Sequence, residues 1–356
     1  MAGAAVQKKQ LLPFRPNTRQ RVQPIQRVPF SLGQRVSVEI PRVGFIAGIF
    51  LNCNMTPTFG EGSPALTIRG IWDILRRIQV ALNIGTASLF DCTGFGTFVY
   101  NRDMMSRGFD PSGAGLFFGL GGSPWRWSYY IPLALNDGLQ FNTGLINLQA
   151  PEIRCTIDLS FCDAYANIST LLTALSGYVD VSYLYYEVPS PNTVMYPPTA
   201  VHRVLEERRT IDAVGDVVYT VPRQGTLLQL AHIVTLNGVF EVPSQPTASN
   251  VTGMRLVVNK TDDIYRLLPD VVNFWNAMRK GSGSNPVSPF VPMGMPIAWL
   301  YDFLSATGDR GSGDTRDTID SEACSTLESI ITIASGATVG VAYHDIIRRI
   351  VQLLQV

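Results

Sequence analysis

Apolar and polar residues alternate without a break over residues 152–161. Ile153, Cys155, Ile157, Leu159 and Phe161 fall on one phase, and Glu152, Arg154, Thr156, Asp158 and Ser160 on the other. Side chains of a strand point alternately to its two faces, so this segment predicts a strand with one dry and one wet face. The same signal marks Arg35–Ile40, where Val36, Val38 and Ile40 alternate with polar residues. Phe45–Cys53 reads as a buried strand, 54–68 as a loop, and a helical turn from Gly70 leads into a strand at Arg77–Asn83. Trp125–Leu135 and Tyr178–Val188 are aromatic-rich strands.

Helical spacing predicts short helices over Phe90–Met105 and Ala164–Leu175. A longer one is expected near Asp263–Lys280, where Ile264, Leu267, Leu268, Val271, Phe274, Trp275 and Met278 recur and Pro269 opens a second segment. Further strands are expected at Val201–Ile211, Asp216–Val221, Leu227–Leu236, Met254–Asn259, Ile297–Leu304, Leu327–Ala334 and Val339–Ile347. Loops rich in Gly, Ser, Pro or polar residues separate them at 106–124, 242–252, 281–294 and 305–322.

The order of elements occurs twice. Trp125–Leu135 corresponds in order to Ile297–Leu304, Glu152–Phe161 to Leu327–Ala334, and Tyr178–Val188 to Val339–Ile347. Each half holds roughly eight strands, the number of a jelly roll. The chain therefore divides into an extended arm (1–30), a first roll (31–190), a proline-rich linker (191–200) and a second roll (201–356). The fold class is all-β with a few short helices. Leu327–Ala334 alternates less cleanly, with Ser329 and Ile330 out of phase, which predicts cover on both faces, as from a neighbouring subunit.

Composition adds a reason to expect such neighbours. Charged residues make up 16% of the chain, below the usual quarter, which leaves little polar surface to face water. The charge is also uneven: Lys8, Lys9, Arg15, Arg19, Arg21, Arg27 and Arg35 all precede the first acid, Glu39. A basic arm is thus attached to a mildly acidic body. Six of these basic residues lie before Phe30 and invite contact with neighbouring subunits or with an anionic bilayer. Their charge is too dilute to suggest a specific nucleic-acid site. No secretory leader and no apolar run long enough to span a bilayer are read, so synthesis in a cytoplasm is expected.

Candidate chemistry is sparse. The five cysteines form no CxxC pair, and Cys155 sits on the apolar phase of its strand as a small hydrophobe. Of three histidines, His232 shares the phase of Leu228, Leu230, Val234 and Leu236 and reads as a satisfied core residue, whereas His344 reads as a surface or interface residue. With His202 they lie on separate strands, which disfavours a metal site. Asp309, Asp314, Asp317, Asp320 and Glu322 lack the spacing of a calcium loop. Gly94 and Gly96 begin like a dinucleotide fingerprint, but Val99 stands where its third glycine belongs. No catalytic motif is present, and a non-enzyme without cofactor or metal is expected.

Ser128-Tyr-Tyr-Ile-Pro-Leu-Ala-Leu135 followed by Glu152–Phe161, with Ile74–Asn83 and its helix in matching places, resembles the double jelly-roll major capsid proteins of the tectivirus and adenovirus-hexon lineage. The resemblance covers residues 30–356 and rests on the order of elements. It implies two eight-stranded rolls in tandem and a trimer with a pseudo-hexameric outline. Such trimers tile the icosahedral virion shell of a tailless phage with an internal membrane. It further implies neighbouring trimers, penton and minor capsid proteins as partners, with the arm on the inner, lipid-facing side. Trp125, Trp127, Tyr129, Tyr183, Tyr185 and Tyr186 would then fill the sandwiches or the subunit contacts. The alternative is a receptor- or carbohydrate-binding jelly-roll spike.

Overall fold

The computed structural model describes residues 19–62, 66–83, 88–105, 124–134, 145–149, 153–187, 200–241, 249–269, 271–272, 297–303 and 318–353. The first half contains strands β1 (Gln20–Pro29), β2 (Arg35–Glu39), β3 (Phe45–Phe59), β4 (Leu75–Leu82), β5 (Ser88–Cys92), β6 (Trp125–Pro132), β7 (Ile146–Asn147), β8 (Cys155–Phe161) and β9 (Leu172–Tyr186). The second contains β10 (Ala200–Thr210), β11 (Gly215–Thr220), β12 (Thr226–Leu236), β13 (Val239–Glu241), β14 (Val251–Val258), β15 (Asp262–Leu267), β16 (Trp299–Asp302), β17 (Ile319–Asp320), β18 (Leu327–Ile333) and β19 (Tyr343–Leu353).

The two halves repeat one topology. In the first, the sheet β1-β9-β3-β6 faces the sheet β2-β8-β4-β5; in the second, β10-β19-β12-β16 faces β11-β18-β14-β15. Each is an eight-stranded antiparallel sandwich, and the positions correspond one to one. The minor strands β7, β13 and β17 add to β3 and β12. The two tandem jelly rolls expected from the order of elements are therefore present. They are joined as well as adjacent: β5 and β10 pair in parallel, Val204 opposite Phe90 and Leu205 opposite Asp91, so that one sheet of each roll fuses into a ten-stranded sheet.

Alternation explains the cores. Cys155, Ile157, Leu159 and Phe161 of β8 are buried and the intervening residues half-buried, as their phase requires. They meet Ile49, Leu51, Cys53, Tyr129 and Val181 from the opposing sheet. In the second roll, Leu230, Val234 and Ile346 meet Tyr219, Leu256 and Ile331. Strand β12 is buried on both faces, since Ala231 and Ile233 pack into the first core while Leu230 and Val234 pack into the second. Trp125, Trp127, Tyr129, Tyr183 and Tyr185 are buried, with Tyr186 packed against Phe45 and Leu184, so these aromatics fill the sandwiches.

A short helix, α1 (Gly94–Val99), continues as a π turn, Tyr100–Met104, between the rolls. Phe98 stacks on Trp72 with centroids 4.0 Å apart, and Phe95 stacks on Phe240 of the second roll at 5.0 Å. The Asn101 amide donates to Tyr130 O and accepts from Tyr130 N–H, pairing with the free edge of β6 as a strand would. Asp103 Oδ2 accepts the Ile297 and Ala298 N–H groups.

Several expectations need correction. The helix expected over Asp263–Lys280 does not start there: Asp262–Leu267 is the strand β15, hairpinned to β14 through Asn259 and Lys260, both at positive φ. Helical backbone among the described residues appears at Pro269, Val271 and Val272, and residues 273–280 lie outside the described set. Ile264, Leu267, Leu268 and Val271 suit a strand followed by a turn as well as one helix face. Ala164–Leu175 holds only a 3₁₀ turn, Tyr165–Asn167, because β9 begins at Leu172 to pair along all of β3. Phe90 belongs to β5, and the helix starts only after Thr93, whose hydroxyl caps it by accepting the Gly96 N–H. The loop placed at 54–68 begins later, since β3 runs to Phe59, and the last strand is Tyr343–Leu353 rather than Val339–Ile347. Residues 188–199, 106–123 and 281–294 lie outside the described set, as do Asp309, Asp314 and Asp317.

Candidate assembly interface

The arm is where the sequence placed its functional residues. Lys8, Lys9 and Arg15 lie outside the described residues; Arg19 is exposed just before β1. The segment from Gln20 forms the edge strand of the first roll, paired along its length with β9 and interrupted by a bulge at Pro24, which has no N–H to donate. Val28 on it is fully buried. Arg21 makes a two-pronged pair with Glu187 (2.9 and 3.3 Å), and Arg27 another with Asp180 (2.7 and 3.1 Å) while lying 3.8 Å over the Tyr178 ring. Two of the six arm cations are thus neutralised within the fold. Their side chains also guard an exposed strand edge against unwanted pairing.

The three histidines are hydrogen-bonded inside the fold. His232 is fully buried, with Nδ1 2.9 Å from His344 Nε2 and Nε2 2.9 Å from Ser329 Oγ. His344 is therefore a core residue, not a surface one: β19 aims it into the second roll opposite Val234. Ser329 faces inward with Leu327 and Ile331, and its place on the apolar phase follows from its bond to His232. Burial pushes the His344 pKa down to about 4 and that of His232 well below its ordinary value. His202 lies between Pro132 O (3.2 Å) and Arg349 Nε (2.9 Å). Among the described residues no three His, Cys, Asp or Glu side chains gather as a metal site. The five cysteines are free and buried, and burial raises the Cys155 thiol to about 12.

The densest polar chemistry lies in the joint between the rolls, which the sequence reading missed. Asp345 is completely buried and accepts from Arg69 Nη2 (2.5 Å) and Arg208 Nε (2.6 Å). Glu206 Oε2 accepts the Thr93 N–H (2.6 Å) and hydroxyl (2.9 Å) at the start of α1. The helix start that resembled a dinucleotide fingerprint therefore faces a carboxylate of its own chain. Farther along the joint, Arg349 Nη1 donates to Gln229, whose amide donates to Met104 O. The one signal available was a single acid, Asp345, in the otherwise apolar and basic strand Tyr343–Leu353.

Above the joint two adjoining clefts of about 550 and 510 Å³ share Arg76, Thr93, Asp163 and Arg208 in their walls. Their rim is a lattice of exposed ion pairs: Arg35–Asp158, Arg76–Asp163 and Arg77–Asp91, at 2.5–2.7 Å. Exposed apolar side chains include Val341 in the wall of the second cleft, Val239, and Ile264, Leu268 and Val271 beside β15.

No protein-family model matches the sequence, and no curated protein matches it. The fold does have counterparts. The major capsid protein of Sulfolobus turreted icosahedral virus superposes with a TM-score of 0.67 at 10% identity, covering 94% of this chain and 97% of that one. A capsid protein of the virus PBCV-1 gives 0.66 at 12% identity, covering 96% and 95%. The major capsid protein P2 of bacteriophage PM2 gives 0.55 at 11% identity, covering 95% and 98%. Over nearly their whole length these chains share the double jelly-roll fold with this one.

Proposed function

We propose that this chain is a major capsid protein, the building block of an icosahedral virion shell, and that it is not an enzyme. One observation carries the reading: 94–96% of the chain superposes on proteins described as capsid proteins, over nearly their whole length. The receptor- or carbohydrate-binding alternative has no comparable support, because the superposable structures named above are described as viral capsid proteins.

Assembly would proceed as a homotrimer whose two rolls per subunit give a six-sided outline, followed by trimer–trimer contact. The low charge fraction and the exposed Val239, Val341, Leu268 and Ile264 supply apolar surface for those contacts. Penton and minor capsid proteins would complete the shell. In this reading Lys8, Lys9, Arg15 and Arg19 would contact neighbouring subunits or an inner membrane. Arg21 and Arg27 instead anchor its root to Glu187 and Asp180. Light scattering on the purified full chain, followed by electron microscopy, tests the proposal. Trimers that close into shells are expected; a stable monomer at high concentration overturns it.

A further inference from the structure

Around Arg69 the joint gathers three carboxylates, Asp73, Glu206 and Asp345, with Arg69 and Arg208 bonded to Asp345. The β10–β19 register sets Glu206 opposite Ile347 and Arg208 opposite Asp345, so both acids face the first roll, one residue pair apart. Asp345 takes both arginines. Glu206 takes only the neutral donors of Thr93, and Asp73 lies in the same cleft beside Arg69. Around them Asp91 pairs with Arg77, Asp163 with Arg76 and Glu207 with Arg209, while Arg349, farther along the joint, is held by the neutral Gln229 and His202. Cys92 next to Glu206 stays a neutral thiol because burial raises it, and His344 beside Asp345 stays neutral for the same reason. Glu206 is thus half-buried in the cleft wall with no cationic partner and with a second carboxylate beside it, which disfavours its charged form.

We propose that the joint carries one exchangeable proton, held on Glu206 beside Asp345 and Asp73, and that the two rolls bind each other more tightly with it than without it. The geometry places this proton next to the only direct backbone link between the rolls among the described strands, the two parallel pairs of β5 and β10. Burial, followed by the Asp345 charge, pushes Glu206 up to about 7, and burial pushes Asp73 up to about 6. Both folded values lie above the unfolded ones of 3.8 and 4.5, so the stabilisation is complete below about pH 4 and is lost progressively as pH rises to the folded values of about 6 and 7.

Equilibrium urea unfolding of the full chain at constant ionic strength, at pH 6 and pH 8.5, tests this. The wild type should lose about tenfold in its folded-to-unfolded ratio, the part of a shift from 4.5 to about 7 that falls above pH 6. Glu206→Gln should lose most of that dependence, while Asp91→Asn, on the exposed rim, should keep it. An equally steep loss in Glu206→Gln overturns the proposal. Should that variant fail to fold, infrared spectroscopy of the wild type near pH 6.5 decides: a protonated-carboxyl C=O band that vanishes by pH 8.5 supports it, and its absence overturns it. Neither measurement depends on shell formation, so failure of the capsid reading would leave the result standing.

Discussion

His232 Nδ1 and His344 Nε2 lie 2.9 Å apart and tie two neighbouring strands together inside the second roll. Both rings are neutral there, because burial holds each below its ordinary value. The unfolded chain binds protons near pH 6.5 that the folded chain refuses until about 4. Stability should therefore fall as pH drops from 6.5 to 4, by roughly 3 kcal/mol for His344 alone. Calorimetric melting across that range checks this, with His344→Gln flattening the slope.

Ser329 is the hydroxyl partner of His232 in a dry core. Ser329→Ala leaves His232 Nε2 without a partner and should cost about 1–3 kcal/mol in urea unfolding. The conservative Ser329→Thr keeps the hydroxyl and should cost less.

Arg348 is buried on the same face, between Leu205 and Leu230, and its Nε and Nη1 have no hydrogen-bond partner among the described residues. Its charge also disfavours the neighbouring Arg203 cation. Arg348→Met should raise stability by about 1–3 kcal/mol, against the usual direction for a core substitution. The shift in urea midpoint reads it.

Asn101 closes the edge of β6 through both atoms of its amide. Asn101→Ala leaves the Tyr130 N–H and C=O without that partner and should cost about 2–3 kcal/mol. Hydrogen exchange should show the lost protection at Tyr130 first.

The root of the arm is structural, so truncation should act in two stages. Removal of residues 1–18 should leave the fold intact. Removal through Pro29 strips β1 from β9, breaks the Glu187 and Asp180 pairs and bares the strand edge, with aggregation as the expected result. Light scattering of the two truncations distinguishes the stages.

Most strands could be read from the chain because alternation is a local property. β8 and β2 obey it residue by residue, and the doubled order of elements follows from such segments alone. Where the reading failed, two periods fitted the same letters, as at Ile264–Val271, or a five-residue strand such as Ser88–Cys92 was absorbed into the helix beside it. The arm's Gln, Arg and Pro concealed a strand because its stability comes from β9, more than 150 positions away, as Arg27 and Asp180 show. The joint was out of reach for the same reason. Arg69 and Asp345 stand 276 residues apart, and no pattern within either segment names the other.

The parallel seam between β5 and β10 has a consequence for how such a chain can be divided. A duplicated roll is usually imagined as two modules on a string. Here the second roll begins on an edge supplied by the first, and β12 presents apolar residues to both cores at once. Cutting the chain at its midpoint would therefore yield two incomplete objects, each with an open sheet edge and an oily flank.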